Sequence, residues 1–188
     1  YQFTNADKVD FFIVATEAQK RILEQQFQHY SDKQPQIATI PVGSLDQLTY
    51  PKEPRKPYSM ITASRLATEK HIDWLVAATV QAHTQLPELT LDIYGKGSEE
   101  DKLRRRIEEA GAQDYIRLKG HADLSQIYAG YELYLTASTS EGFGLTLMEA
   151  VGSGLPLIGF DVRYGNQTFI DDGKNGYLIP VSSNQVED

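Results

Sequence analysis

The chain of 188 residues has no cysteine, which excludes disulfides and any thiolate-ligated metal site. It has no apolar run of membrane-spanning length and no signal peptide at its start, so a cytoplasmic address is expected. No Asp-x-Asp pair is present, and no His, Asp and Glu residues fall at metal-ligand spacing. No Gly-x-Gly-x-x-Gly closes the strand before Arg65, which disfavours a nicotinamide-dependent oxidoreductase. Basic residues form no extended stripe, and 18 Lys and Arg stand against 26 Asp and Glu, a formal charge of −8. That balance disfavours nucleic acid as a partner. The chain begins without Met, and residues 185–188 read as the opening of a helix, so it is read as a piece of a longer protein.

What is present is a regular alternation of short apolar runs and helical patterns. Residues 11–16 read as a buried strand, 17–30 as an amphipathic helix with Ile22, Leu23 and Phe27 inward, and 37–40 as another strand. A proline-punctuated charged stretch, 51–57, reads as a linker. Strands are then expected at 58–63, 89–95, 116–119, 133–138, 155–160 and 177–179. Helices are expected at 72–86, 99–110, 144–152 and, shorter, at 123–129 and 166–171. Such alternation with short loops predicts an α/β fold, a Rossmann-like doubly wound parallel sheet covered on both faces.

Two constellations fall at strand ends of that sheet. The first runs from Glu141 through Gly142, Phe143, Gly144, Leu145 and Thr146 to Glu149. Its glycines make a tight loop into a helix N-terminus, whose unpaired N–H groups and dipole suit a phosphate. Glu149 is an acid among apolar neighbours and needs a hydrogen-bonding partner. It would accept ribose hydroxyls, or else cap a turn or pair with a buried Arg. The second constellation is Arg65 and Lys70, two cations between a strand and a helix. All strand carboxyl ends of a doubly wound sheet open on one edge, so both cations can converge with the Gly142–Gly144 loop on one anion.

Together these residues resemble the donor-binding signature of retaining glycosyltransferases of the two-Rossmann-domain (GT-B) type, family 4. The resemblance extends from about 58 to 180 and includes Gly95-Lys96-Gly97, Leu118-Lys119-Gly120-His121 and Gly173-Lys174-Asn175-Gly176. The run from Asp161 to Ile170 is similar to a Gram-positive subgroup that glycosylates serine-rich-repeat adhesins or teichoic acids. The commoner family pattern there, a glycine pair followed by Glu, is absent, which leaves the contacts of 161–170 open.

The resemblance implies that 1–50 are the tail of an acceptor-side domain, 51–57 a linker and 58–188 the donor-nucleotide domain. It implies Arg65, Lys70 and Glu141 as catalytic residues. Glu149, Gly142, Phe143, Gly144, Leu145, Thr146, Gly95, Leu118 and His121 would bind the donor. No metal or other cofactor is expected beyond the UDP-sugar, with N-acetylglucosamine the favoured sugar. The implied acceptor is a serine-rich protein; poly(glycerol phosphate) is the alternative. A homologous partner protein would hold the acceptor, and any membrane contact would be peripheral, through that partner or the region outside this chain. A binding module without activity is the rival from another class, disfavoured because Arg65, Lys70, Glu141 and Glu149 occur together. Tyr58, Tyr94, Tyr134, Tyr177 and Trp74 read as packing residues and Phe143 as shaping its loop. His71 reads as starting a helix, and His29 and His83 as surface positions.

Overall fold

A computed structural model describes residues 8–28, 35–43, 51 and 54–181 of the chain. The chain divides into two compact units, 1–44 and 45–188. The readings made for His29, for a helix reaching Tyr30, for Lys52 and Glu53 in the linker and for 185–188 lie outside the described residues.

In the first unit, β1 (Phe11–Val14), α1 (Glu17–Phe27) and β2 (Gln36–Thr39) make a two-stranded parallel β-α-β unit. The first strand stops short of residue 16 because Thr16 turns to cap α1. Its hydroxyl accepts from the Gln19 amide at 3.1 Å, and the Gln19 side chain accepts from the Thr16 amide at 3.1 Å. That reciprocal box satisfies two orphan donors of the first turn. Phe27 is buried with its ring 5.0 Å from Phe12, while Phe11 and Ile13, on the other face of β1, are exposed. Period-two alternation accounts for the split.

The second unit holds six strands: β3 (Ser59–Ala63), β4 (Thr90–Tyr94), β5 (Ile116–Gly120), β6 (Leu133–Thr136), β7 (Leu157–Phe160) and β8 (Gly176–Ile179). All are parallel, in the order β5-β4-β3-β6-β7-β8. Helices α2 (Ile72–His83), α3 (Glu100–Glu109), α4 (Leu145–Gly152) and α5 (Gly165–Phe169) connect them. The strand order reverses direction between β3 and β6, so their carboxyl ends flank the switch point where doubly wound sheets bind ligands. β3 is buried at every position. Its side chains alternate between two cores: Met60 joins Leu66, Val76, Leu91 and Leu103, and Ile61 joins Tyr134, Leu147, Ala150 and Leu157.

The strand read as buried exposes Phe11 and Ile13, and Tyr177, read as packing, is exposed; three further expectations are corrected. The helix predicted at 123–129 is instead a turn followed by a 3-10 turn over Tyr128–Gly130. The Asp123 carboxylate accepts from the Ser125 amide at 3.0 Å, and the turn after it closes on the Leu124 carbonyl through the amides of Ile127 and Tyr128. Tyr58 stands outside its strand, at φ 57° and exposed, with its amide donating to Glu132 at 2.7 Å. His83 is half-buried and not a surface residue: it stacks 3.6 Å from Tyr115 and bonds the Leu89 carbonyl at 3.0 Å. Trp74, half-buried, lies between His71 at 3.9 Å and Phe160 at 5.7 Å, as a packing residue.

Ile61, fully buried in the central strand, tests this core. Ile61→Ala should lower unfolding free energy by about 2–5 kcal/mol, measured by urea denaturation.

Candidate functional site

The loop after β3 is held close to the sheet by glycine. Gly95, at φ 139° where β4 ends, lies against the Ser64 backbone so tightly that a Cβ would overlap the Ser64 carbonyl. Past Ser64 the chain exposes Arg65, buries Leu66 and makes a 3-10 turn over Thr68–Lys70 before α2. Among the described residues Arg65 is tied only to the exposed Glu69, at 3.1 Å, so its guanidinium is little constrained.

Lys70 is fixed. Its ammonium sits 2.6 Å from Glu141 Oε2 and 3.3 Å from Ser138 Oγ. Ser138 gives its own proton to the Ser140 carbonyl at 2.8 Å, which leaves its oxygen to accept from Lys70. An ammonium has three donors, so one remains for an incoming anion. Beside it His71 bonds Thr139 Oγ1 at 3.1 Å, and the Thr139 amide reaches the Glu69 carbonyl at 3.4 Å. The loops after β3 and β6 are thereby laced together.

Glu141 is also held from behind. Its carbonyl accepts from the amides of Tyr164 at 2.7 Å and Gly165 at 3.3 Å. The segment 161–170, whose contacts the sequence left open, thus packs on the backbone of Glu141. Phe143 meets Phe169 edge-on at 5.3 Å, so it does shape its loop, from the side of α5. Gly144 then starts α4 with φ 85° and no side-chain cap. A Cβ there would stand 2.7 Å from Leu147 Cδ1 and force a left-handed L residue. The first amides of α4 have no partner within the helix.

That hollow has a volume of about 320 Å³ and is bordered by Arg65, Lys70, Glu141, Phe143, Gly144, Leu145 and Thr146. A neighbouring cleft of about 730 Å³ is bordered by Arg65, Gly95, His121, Leu145, Thr146 and Glu149. The structure therefore gathers ten of the twelve expected residues around two adjoining spaces. Gly142 lies exposed in the same turn and borders neither. Leu118 is not brought there: on β5 it shares the face of Ile116, packs against the core and borders a separate hollow with Arg104. Among the described residues, no group of three or more His, Cys, Asp or Glu could hold a metal ion.

The sequence reading missed the tyrosines beneath α4. Tyr134, fully buried, bonds the Ala63 carbonyl at 2.9 Å and Thr146 Oγ1 at 2.8 Å. The carbonyl can only accept, so the phenol donates to Ala63 and receives the Thr146 proton. Tyr128, also fully buried, donates to Glu149 Oε2 at 3.0 Å. Burial pushes both phenols well above their ordinary value; at Tyr128 the Glu149 charge adds to the effect. Neither was legible as polar machinery, since a tyrosine in a strand or turn reads first as packing.

The second unit is thus a doubly wound α/β domain with two cations, two acids and an uncapped helix at its switch point. The sequence model of the family Glycosyl transferases group 1 matches residues 49–187, and the chain belongs to that family. It is 98% identical, over all 188 residues, to the UDP-N-acetylglucosamine--peptide N-acetylglucosaminyltransferase GtfA subunit of Streptococcus gordonii. The chain spans 37% of that relative's length. Two crystal structures, each covered to 37% by the whole chain, share its fold. A GtfA/B complex is 98% identical with a TM-score of 0.90. The pneumococcal O-GlcNAc transferase GtfA in complex with UDP and GlcNAc is 70% identical with a TM-score of 0.93.

Because Tyr128 and Tyr134 stay protonated in the fold while an unfolded chain releases their protons near pH 10, stability is full below that pH. It should fall above it by about 1.4 kcal/mol per pH unit for each buried phenol. Urea midpoints between pH 9 and 11 measure the slope, and Tyr134→Phe should flatten it.

Proposed function

We propose that the chain is the donor-nucleotide half of a retaining glycosyltransferase that moves N-acetylglucosamine from UDP-N-acetylglucosamine to Ser or Thr hydroxyls of a serine-rich protein. The observation that carries this reading is the meeting of Arg65, Lys70 and the bare N-terminus of α4 around one hollow at the switch point. The bound UDP and GlcNAc of the pneumococcal relative support the same donor.

In this reading the diphosphate occupies the smaller hollow and the nucleoside the larger cleft. Departure of UDP leaves new negative charge on the β-phosphate. The third donor of Lys70, the exposed guanidinium of Arg65 and the amides around Leu145 and Thr146 stabilise it electrostatically. Glu141, with Oε2 held by Lys70, offers Oε1 to hydroxyls of the sugar. Glu149 accepts ribose hydroxyls, and Gly95 and His121 border the base. Cations and helix dipole together compensate the diphosphate, so no metal is required.

The relative crystallised as a GtfA/B complex supports a partner protein that holds the acceptor. No helix among the described residues is long and apolar enough to cross a membrane. We place the intact enzyme in the cytoplasm, reaching the inner membrane face only through its partner or the region outside this chain.

Three outcomes are expected. UDP titrated into the chain by calorimetry should bind equally with and without EDTA; loss of binding in chelator contradicts the metal-free site. Glu149→Ala should lower UDP affinity by about 1.5–3 kcal/mol, and it should also lower the melting temperature because the buried Tyr128 phenol loses its acceptor. Unchanged affinity with a lower melting temperature would assign Glu149 a structural role. For the acceptor, the intact enzyme with its partner should label a serine-rich peptide. Labelling of poly(glycerol phosphate) instead would move the assignment to teichoic acid.

A further inference from the structure

Glu149 sits on the second turn of α4, half-buried, with Tyr128 as its hydrogen-bonding partner. Tyr128 itself has no freedom. Its ring is fully enclosed and lies 6.2 Å from that of Tyr134, whose phenol is locked between Ala63 and Thr146. The 3-10 turn that carries Tyr128 is pinned from its other end as well. Tyr131, three residues on, donates to Asp92 Oδ2 at 2.6 Å, and Arg117 Nε donates to Asp92 Oδ1 at 2.7 Å. Asp92 is a buried carboxylate in β4 with one of those donors on each oxygen, and the Tyr94 hydroxyl lies 3.3 Å from that of Tyr131. A chain of polar contacts therefore runs from Arg117 on β5, through Asp92 and the 128–131 turn, to Glu149 at the cleft.

We propose that Tyr128 is a positioning residue for nucleotide recognition, holding Oε2 of Glu149 so that Oε1 alone faces the ribose. The proposal rests on the reading that Glu149 accepts ribose hydroxyls. The geometry supplies the reason. An acid on a helix with both oxygens free samples several rotamers, and ordering it on ligand binding costs conformational entropy. A phenol at 3.0 Å from a rigid turn fixes one rotamer before the ligand arrives. Burial keeps the phenol protonated and able to donate.

A purely structural Tyr128 and a positioning one differ in what they do to a nucleotide without ribose hydroxyls. The test is calorimetry of the chain with UDP and with 2′,3′-dideoxy-UDP, for the wild type, Tyr128→Phe, Glu149→Ala and the double variant. The wild type should prefer UDP. Tyr128→Phe should weaken UDP on the order of tenfold and leave dideoxy-UDP unchanged. Added to Glu149→Ala, it should change neither affinity further. Equal loss for both nucleotides, or full additivity in the double variant, overturns the proposal. A wild type indifferent to the ribose hydroxyls overturns the reading of Glu149 itself, which separates the two failures. NMR of the unaltered chain serves even where the Phe variant does not fold. The Tyr128 hydroxyl proton, buried and bonded, should shift when UDP is added and not when dideoxy-UDP is. A resonance indifferent to UDP overturns the proposal.

Discussion

The bond between Lys70 and Glu141 is the contact on which the site depends. It spans the switch point, joining the loop after β3 to the loop after β6, and each partner keeps only a small part of its side chain in water. At 2.6 Å the pair is charge-assisted and sets the spacing of two loops that share no strand register beyond Ile61 and Tyr134. His71 and Thr139 add a second stitch beside it. Without these contacts the cations of one loop and the helix N-terminus of the other would not face a common hollow. Removing either partner leaves a poorly solvated charge, so the arrangement is held more firmly than a surface ion pair would hold it.

Helix α4 is the other fixed point, and it is anchored along its whole length. Its N-terminus starts at a glycine with φ 85°, its first turn is bonded through Thr146 to Tyr134, and its second turn through Glu149 to Tyr128. At the far end, Arg55 donates to the carbonyls of Ser153 and Gly154, each at 3.0 Å. A cation there completes the orphan carbonyls and favours the negative end of the dipole. Arg55 belongs to the stretch that reads as a linker, so in this unit that stretch is fastened to the helix whose opposite end borders the smaller hollow.

Much of this was legible in the sequence because it rests on local rules. Strand and helix periods placed every strand of the sheet to within a few residues, and glycines before apolar helical patterns marked the loops. Strand-end cations and acids were found because a doubly wound sheet opens all its ligand loops on one edge. What escaped depends on pairing across the sheet. Nothing in Asp92, Arg117 and Tyr131 signals that they meet, since they lie 25 and 39 residues apart. Tyr134 read as packing, and it is packing, while Tyr128 drew no reading of its own; only the placement of Ala63, Thr146 and Glu149 makes them polar supports. Leu118 was carried into the site by the glycine and histidine that follow it, whereas strand alternation sends its side chain to the core. The 123–129 helix is replaced by turns, in which the amides of Ile127 and Tyr128 both close on the Leu124 carbonyl.

The central claim is that one edge of this sheet holds a sugar nucleotide, with diphosphate and ribose at separate, pre-formed places. A crystal structure of the chain soaked with UDP tests it most directly. The account predicts the β-phosphate against the amides of Leu145 and Thr146, within reach of Lys70 and Arg65, and the ribose hydroxyls on Glu149 Oε1. A diphosphate bound away from α4, or a ribose turned from Glu149, would contradict it.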